Sequence, residues 1–107
     1  MACSRIPMSS RRLRLVLAPE ADRNLRDALM FSEQRWGKAQ QRAYLRLFSD
    51  AFAKLRRFPE LGRPRTEVGT AVRSHRVGQH VVFYGATETE LVVSRIVHVR
   101  RDVDGEP

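Results

Sequence analysis

Cysteine is nearly absent from this chain: Cys3 is the only one in 107 residues. A single thiol excludes an internal disulfide and any zinc site built on cysteine. Long apolar runs are missing too, and none approaches the roughly 20 residues of a membrane-spanning helix. The N-terminal MACSRIPMSSRRLRL lacks the continuous apolar stretch of about 7–15 residues that marks a signal peptide, so a cytoplasmic protein is expected. There is no HExxH, no GxGxxG or GxxxxGK[ST] and no nucleophile elbow, and Gly62, Gly69 and Gly78 are isolated turn glycines. The acids gather in residues 19–36 and at the C-terminal end, leaving no pair of carboxylates poised for metal-assisted or glycosidic hydrolysis. The expectation is no catalytic residue, no metal and no cofactor.

Basic charge is what the chain does have. Eighteen Arg and two Lys stand against twelve acids, a net charge of +8. Such a field favours polyanionic partners, either nucleic acid or an acidic protein segment. The length corresponds to one domain, and 42% apolar residues suffice for one core.

Residues 1–12 read as a flexible basic tail, with Met8 an equally good start, and residues 103–107 as a frayed acidic end. Between them, Leu13–Leu17 alternates like a strand. Pro19, followed by Glu20 and Asp22, opens a helix over 19–36, with Gly37 at its C-cap. A second helix follows at once and stops at Phe58-Pro59, since the residue before proline disfavours helix. Residues 59–70 are a loop. Val72–Val77 and His80–Tyr84 flank the two-residue turn Gly78-Gln79, and Leu91–His98 is the last strand. The order β-α-α-β-β-β predicts an α+β two-layer fold over 13–102, a helical hairpin packed on a mostly antiparallel sheet of four strands.

Two groups of candidate binding residues follow from this layout. The second helix carries Lys38, Arg42, Arg46, Lys54, Arg56 and Arg57 against Asp50 alone. With Trp36, Tyr44, Phe48 and Phe52 it has more large apolar side chains than a small sheet is expected to cover. A groove for an acidic amphipathic helix is therefore expected at Trp36, Arg42, Tyr44, Arg46, Phe48, Phe52 and Lys54. The second group, Arg73, Arg76, Arg95, His98, Arg100 and Arg101, lies on the strands and just beyond the last. Arg95 and His98 interrupt an apolar run, implying a face not committed to the core. Metal-free RNA cleavage would need a base and an acid beside these cations. Tyr84 in its VVFY run reads instead as core edge. His75 and His80, on adjacent strands, are close enough to meet but have no third ligand; a hydrogen-bonded imidazole at the sheet surface is the expectation. No helix-turn-helix or RNA-binding aromatic motif is present, so sequence-specific DNA binding is not expected.

Taken in order, Phe31-Ser32-Glu33-Gln34-Arg35-Trp36-Gly37, Phe58-Pro59-Glu60-Leu61-Gly62, Gln79-His80-Val81-Val82-Phe83-Tyr84 and Arg95-Ile96-Val97-His98-Val99-Arg100-Arg101-Asp102 resemble the ParE toxins of type II toxin–antitoxin modules. The resemblance runs from about Leu13 to Asp102, with Phe31 where a Tyr is usual and Gly85 where an Arg often follows HVVFY. It implies the RelE/ParE fold and a toxin neutralised by a cognate acidic, ParD-like antitoxin in a hetero-oligomer. It also implies DNA gyrase as the target, as in plasmid-stabilisation modules of this kind. The RelE branch, ribosome-dependent mRNA endonucleases, is the alternative, as is an inactive relative that only binds its partner. Residues 99–107 contain neither the Tyr nor the His expected of the RNase branch, which favours gyrase. By carry-over, the target contacts are Arg73, Arg95, His98, Arg100 and Arg101.

Overall fold

In the computed structural model, residues 12–102 are described. Cys3, all but Arg12 of the tail expected at 1–12, and the end expected at 103–107 lie outside them. The elements run β1 (Arg14–Leu17), α1 (Pro19–Trp36), α2 (Lys38–Arg57), a 3-10 turn (Pro59–Leu61), β2 (Arg63–Pro64), β3 (Arg73–Val77), β4 (His80–Ala86), β5 (Glu90–His98) and α3 (Val99–Asp102). The sheet has the order β1-β5-β4-β3-β2. β1 lies parallel to β5 and every other pair is antiparallel. The α+β layout expected from the sequence holds, with a fifth strand of two residues cut from the 59–70 loop. Pro64 is tolerated there because an outermost strand needs no amide on its outer side.

The two helices are joined by Gly37 alone. Its φ of +93° is in the left-handed region where glycine is favoured, and its amide donates to Glu33 O at 2.7 Å to close α1. Gln41 then reaches back from α2 to Leu29 O and Glu33 Oε1, at 3.3 and 3.2 Å. The far end of the hairpin is tied to β1: Leu13 N donates to Arg56 O at 3.1 Å, and Arg56 Nε donates to Leu13 O at 2.6 Å.

Phe48, Ala51, Phe52 and Leu55 of α2 bury against Val82, Tyr84, Leu91, Val93 and Ile96, with Leu15 and Leu17 packed alongside. Full burial of each large side chain contributes about 1.5–3 kcal/mol. Strand alternation therefore turns the odd residues of β1 and the even residues of β4 toward the helices. β5 breaks the alternation. Phe83 pairs with Arg95 and Tyr84 with Val93, so Ser94 is an extra residue, and its hydroxyl donates to Phe83 O at 3.1 Å. This β-bulge moves Ile96 and His98 to the helix face and Arg95 and Val97 to the other.

Tyr84 is buried as expected and has a structural task. Its hydroxyl donates to Pro59 O at 2.6 Å and accepts from Gly62 N at 2.8 Å, fastening the loop after α2 to the sheet. Gly62 is required by that contact, since a Cβ there would lie 2.7 Å from Ser74 O and 2.8 Å from Tyr84 Cε1. Tyr84→Phe leaves two buried backbone groups unpaired and is expected to cost about 1–3 kcal/mol. Gly62→Ala is expected to cost at least as much. Thermal melts check both; midpoints within a degree of the parent would refute the clamp.

Candidate partner and target surfaces

Where the hairpin overhangs the sheet, α1 outruns its support. Phe31 and Trp36 are 52% and 61% exposed. Their rings meet edge to face at 6.3 Å, and the Arg35 guanidinium stacks over both, at 5.7 and 5.5 Å. Below them a cleft of about 230 Å³ is lined by Ala28, Phe31, Ser32, Trp36, Gln40, Tyr44, Gln79, His80 and His98. A wider cleft of about 420 Å³ continues along α1 and β5, sharing Ala28, Phe31, His80 and His98 and adding Asn24, Arg95 and Arg101.

The floor between them is a histidine pair. His80 stands directly opposite His98, with ring centroids 5.3 Å apart. Tyr44 Oη lies 2.7 Å from His80 Nδ1 and accepts from Gln79 N at 2.8 Å. Burial, with the His98 ring beside it, pulls His80 down from 6.5 to about 4, and burial raises the Tyr44 hydroxyl above its ordinary value. His75 pairs with Val82 and His80 with Val77, so these two histidines are diagonal rather than directly opposed, and the imidazole that stands opposite His80 is that of His98. Among the described residues no three His, Cys, Asp or Glu side chains are placed to hold a metal.

Arginines dominate the opposite face of the sheet. Phe83 is almost fully buried there without a helix above it. The Arg65 and Arg95 guanidiniums cover its ring, each 4.9 Å from the centroid. Arg65 is 3% exposed; it donates to Glu67 Oε2 at 2.7 Å and Ser74 Oγ at 3.0 Å, holding the Glu67 carboxyl below the usual carboxylate range. A pocket of about 130 Å³ beside them is lined by Arg65, Glu67, Val68, Phe83, Arg95, Val97 and Arg101. Arg76, opposite Val81, belongs to this face and donates to Gly78 O at 2.8 Å.

The expected target group is thereby divided. Arg76, Arg95 and Arg101 share the open face, and Arg100 is exposed on α3. Arg73 is half-buried, its Nη1 bonded to Gly62 O at 2.7 Å and Glu60 O at 3.2 Å, so it holds the loop. His98 lies in the cleft on the helix side, because the Ser94 bulge separates it from Arg95. In the expected partner group, Phe48 and Phe52 require correction. Both are buried in the core beneath α2 and present nothing to a partner. Arg42, Arg46 and Lys54 are exposed, Trp36 is exposed, and Tyr44 is half-buried at the cleft floor. Sequence reasoning passed over Phe31, His80 and Arg65 as site residues. The Phe31–Trp36 spacing at the end of α1 was a signal for the first, whereas nothing local marked Arg65.

A family model described as ParE toxin of type II toxin–antitoxin system, parDE, matches residues 15–103. The chain belongs to the ParE toxin family. It is 30% identical over 82 residues to Toxin ParE1 of Caulobacter vibrioides, covering 77% of this chain and 84% of that one. It is 32% identical over 90 residues to Toxin ParE of Escherichia coli, covering 82% and 86%. The fold is similar to a solved chain of the chromosomal ParDE system from P. aeruginosa, with a TM-score of 0.68 at 13% identity, covering 81% and 96%. This ParE-type toxin thus presents two chemically distinct surfaces, an aromatic and histidine-floored cleft and an arginine-covered sheet face.

The pH response of the cleft follows from His80. Its folded-state value lies below its ordinary value, so protonation favours unfolding. The stability held by the neutral ring is complete above about pH 6.5 and is lost as pH falls toward about 4. His75, lowered by burial and by Lys54, acts in the same direction. Thermal midpoints measured from pH 7 to 4 should fall less in His80→Gln than in the parent. Parallel curves would refute this account of His80.

Proposed function

We propose that this toxin acts in the cytoplasm by inhibiting DNA gyrase, and that a ParD-like antitoxin neutralises it as part of a hetero-oligomer. The antitoxin docks an acidic amphipathic helix on the cleft of Phe31, Trp36 and Tyr44. The observation that carries the antitoxin half is the uncovered aromatic pair at the mouth of an apolar cleft, on a protein of charge +8. Large aromatics left in water at a concave site favour a partner that buries them. Arg42, Arg46 and Lys54, exposed on α2, supply long-range attraction for acidic residues. The P. aeruginosa neighbour is a ParDE toxin–antitoxin system, and that kind of partner is carried over here. For the target, the reading uses Arg76, Arg95 and Arg101 on the open sheet face together with Arg100. The absence of Tyr and His from residues 99–107 supports gyrase over mRNA.

The purified toxin is expected to inhibit supercoiling by gyrase and leave translated mRNA intact. Supercoiling and primer-extension assays run side by side decide between the two; cleaved mRNA with normal supercoiling would replace this reading with the RNase one. Arg95→Ala with Arg101→Ala should abolish growth arrest while the protein still melts cooperatively, at a somewhat lower temperature because Phe83 loses the Arg95 cover.

On the partner side, Phe31→Ala with Trp36→Ala should weaken antitoxin binding by about 30-fold or more, mainly through faster dissociation. The association rate of the parent should drop steeply between about 0.05 and 0.5 M salt, because screening acts first on exposed charges. Stopped-flow measurements give both; a flat association rate would remove the electrostatic part of the argument.

A further inference from the structure

β5 is longer than the strand beside it. β1 pairs only with Glu90–Val93, Ala18 N closes the ladder on Val93 O at 2.9 Å, and the chain then turns into α1 at Pro19. From Ser94 to His98, β5 has β4 on one side and, among the described residues, no strand on the other. Val99 N donates to Gln79 O at 2.9 Å, so by the two-residue period Arg95 and Val97 turn their backbone groups to β4, and Ile96 and His98 turn theirs outward. The Ile96 amide is taken by Asn24 Oδ1 at 3.0 Å. The His98 C=O closes the first turn of α3, which leaves Ile96 C=O and His98 N–H toward the 420 Å³ cleft with no strand to meet them.

We propose that this free edge, Ser94–His98, is a docking site for an extended segment of a partner protein whose residues alternate apolar and acidic, added to the sheet as a further strand. Five residues give an edge of about 16 Å, and the Ile96 carbonyl with the His98 amide offers one acceptor and one donor at the spacing that a single residue of an extended partner strand meets. The two sides of such a strand meet different chemistry. On the helix side lie Ala28, Phe31 and Ile96, and Glu20 and Asp27 at the rim repel acids there. On the other side lie Arg95 and Arg101. Arg95 is already stacked on Phe83, so its guanidinium fork is preorganised for a carboxylate. A second copy of this chain is a poor occupant, because two proteins of charge +8 repel each other. The inference goes beyond the antitoxin reading: the aromatic cleft takes a helix, the edge takes a strand, and the edge geometry carries the second independently of gyrase or antitoxin identity.

The probe is a capped eight-residue peptide alternating valine and glutamate, titrated onto the full chain. It should bind, slow hydrogen exchange of the His98 amide about tenfold or more, and lose at least tenfold in affinity when alternate backbone nitrogens are methylated. Arg95→Ala with Arg101→Ala, checked by its melting curve, should weaken binding by a similar factor. Equal binding by the methylated peptide, or by polyglutamate of the same length, would overturn the strand. So would an unchanged His98 amide, or an acidic helical peptide that binds while the alternating one does not. Each readout is separate from supercoiling and antitoxin capture, so a failed gyrase assay leaves it standing.

Discussion

One inserted residue sets the character of both faces of the sheet. Before Ser94, β5 presents Leu91 and Val93 to the helices; uninterrupted alternation would send Arg95 into that same core. An unpaired guanidinium buried there would cost several kcal/mol. The bulge removes the conflict by moving Ile96 into the core instead and laying Arg95 across Phe83 on the far side. It also turns His98 inward to meet His80. The arginine face, the histidine floor and the outward backbone of Ile96 and His98 all descend from that phase change.

The far face shows how a sheet with one helical layer protects its other side. Val81 and Phe83 are buried there, and guanidiniums rather than apolar side chains cover the Phe83 ring. Arg65 is held by Glu67 and Ser74 and serves as structure, while Arg95 and Arg101 stay exposed and keep their charge available. Arginine suits this double use: its planar head stacks on an aromatic ring while its edge remains free to donate. The two exposed arginines line both the far-face pocket and the cleft along α1. A ligand in either place would draw on the same pair of charges.

At the other end of the sheet, Tyr84 and Gly62 show why a loop rich in proline and glycine need not be loose. The hydroxyl, the Pro59 carbonyl and the Gly62 amide close a small buried network, and Arg73 ties down the outer carbonyls. Arg73 looked like part of a target surface from its charge alone, but its fork is spent on backbone oxygens.

Local rules were enough for the elements. Period-3.6 and period-2 patterns, Pro19, Gly37, Pro59 and the Gly78 turn determined both helices to within a residue, the strands of the meander and the two-layer class, because these signals act between near neighbours in the chain. Exposed Trp36, Arg42, Arg46 and Lys54 were legible for the same reason. Local rules failed where the answer depended on what lies across the fold. Phe48, Phe52, Phe31 and Trp36 are all aromatic residues on amphipathic helices, yet only the first two have sheet beneath them. Arg65 and Arg95 are both cations near strands, yet one is enclosed by a loop and the other is not. The free edge at Ser94–His98 exists because β1 is only four residues long, a relation between segments some eighty positions apart. Sequence alone determined the two long helices, the four longer strands and the sign of the charge. Only the tertiary structure decided which of those residues face solvent, because burial is set by the partner that long-range packing brings to each side chain.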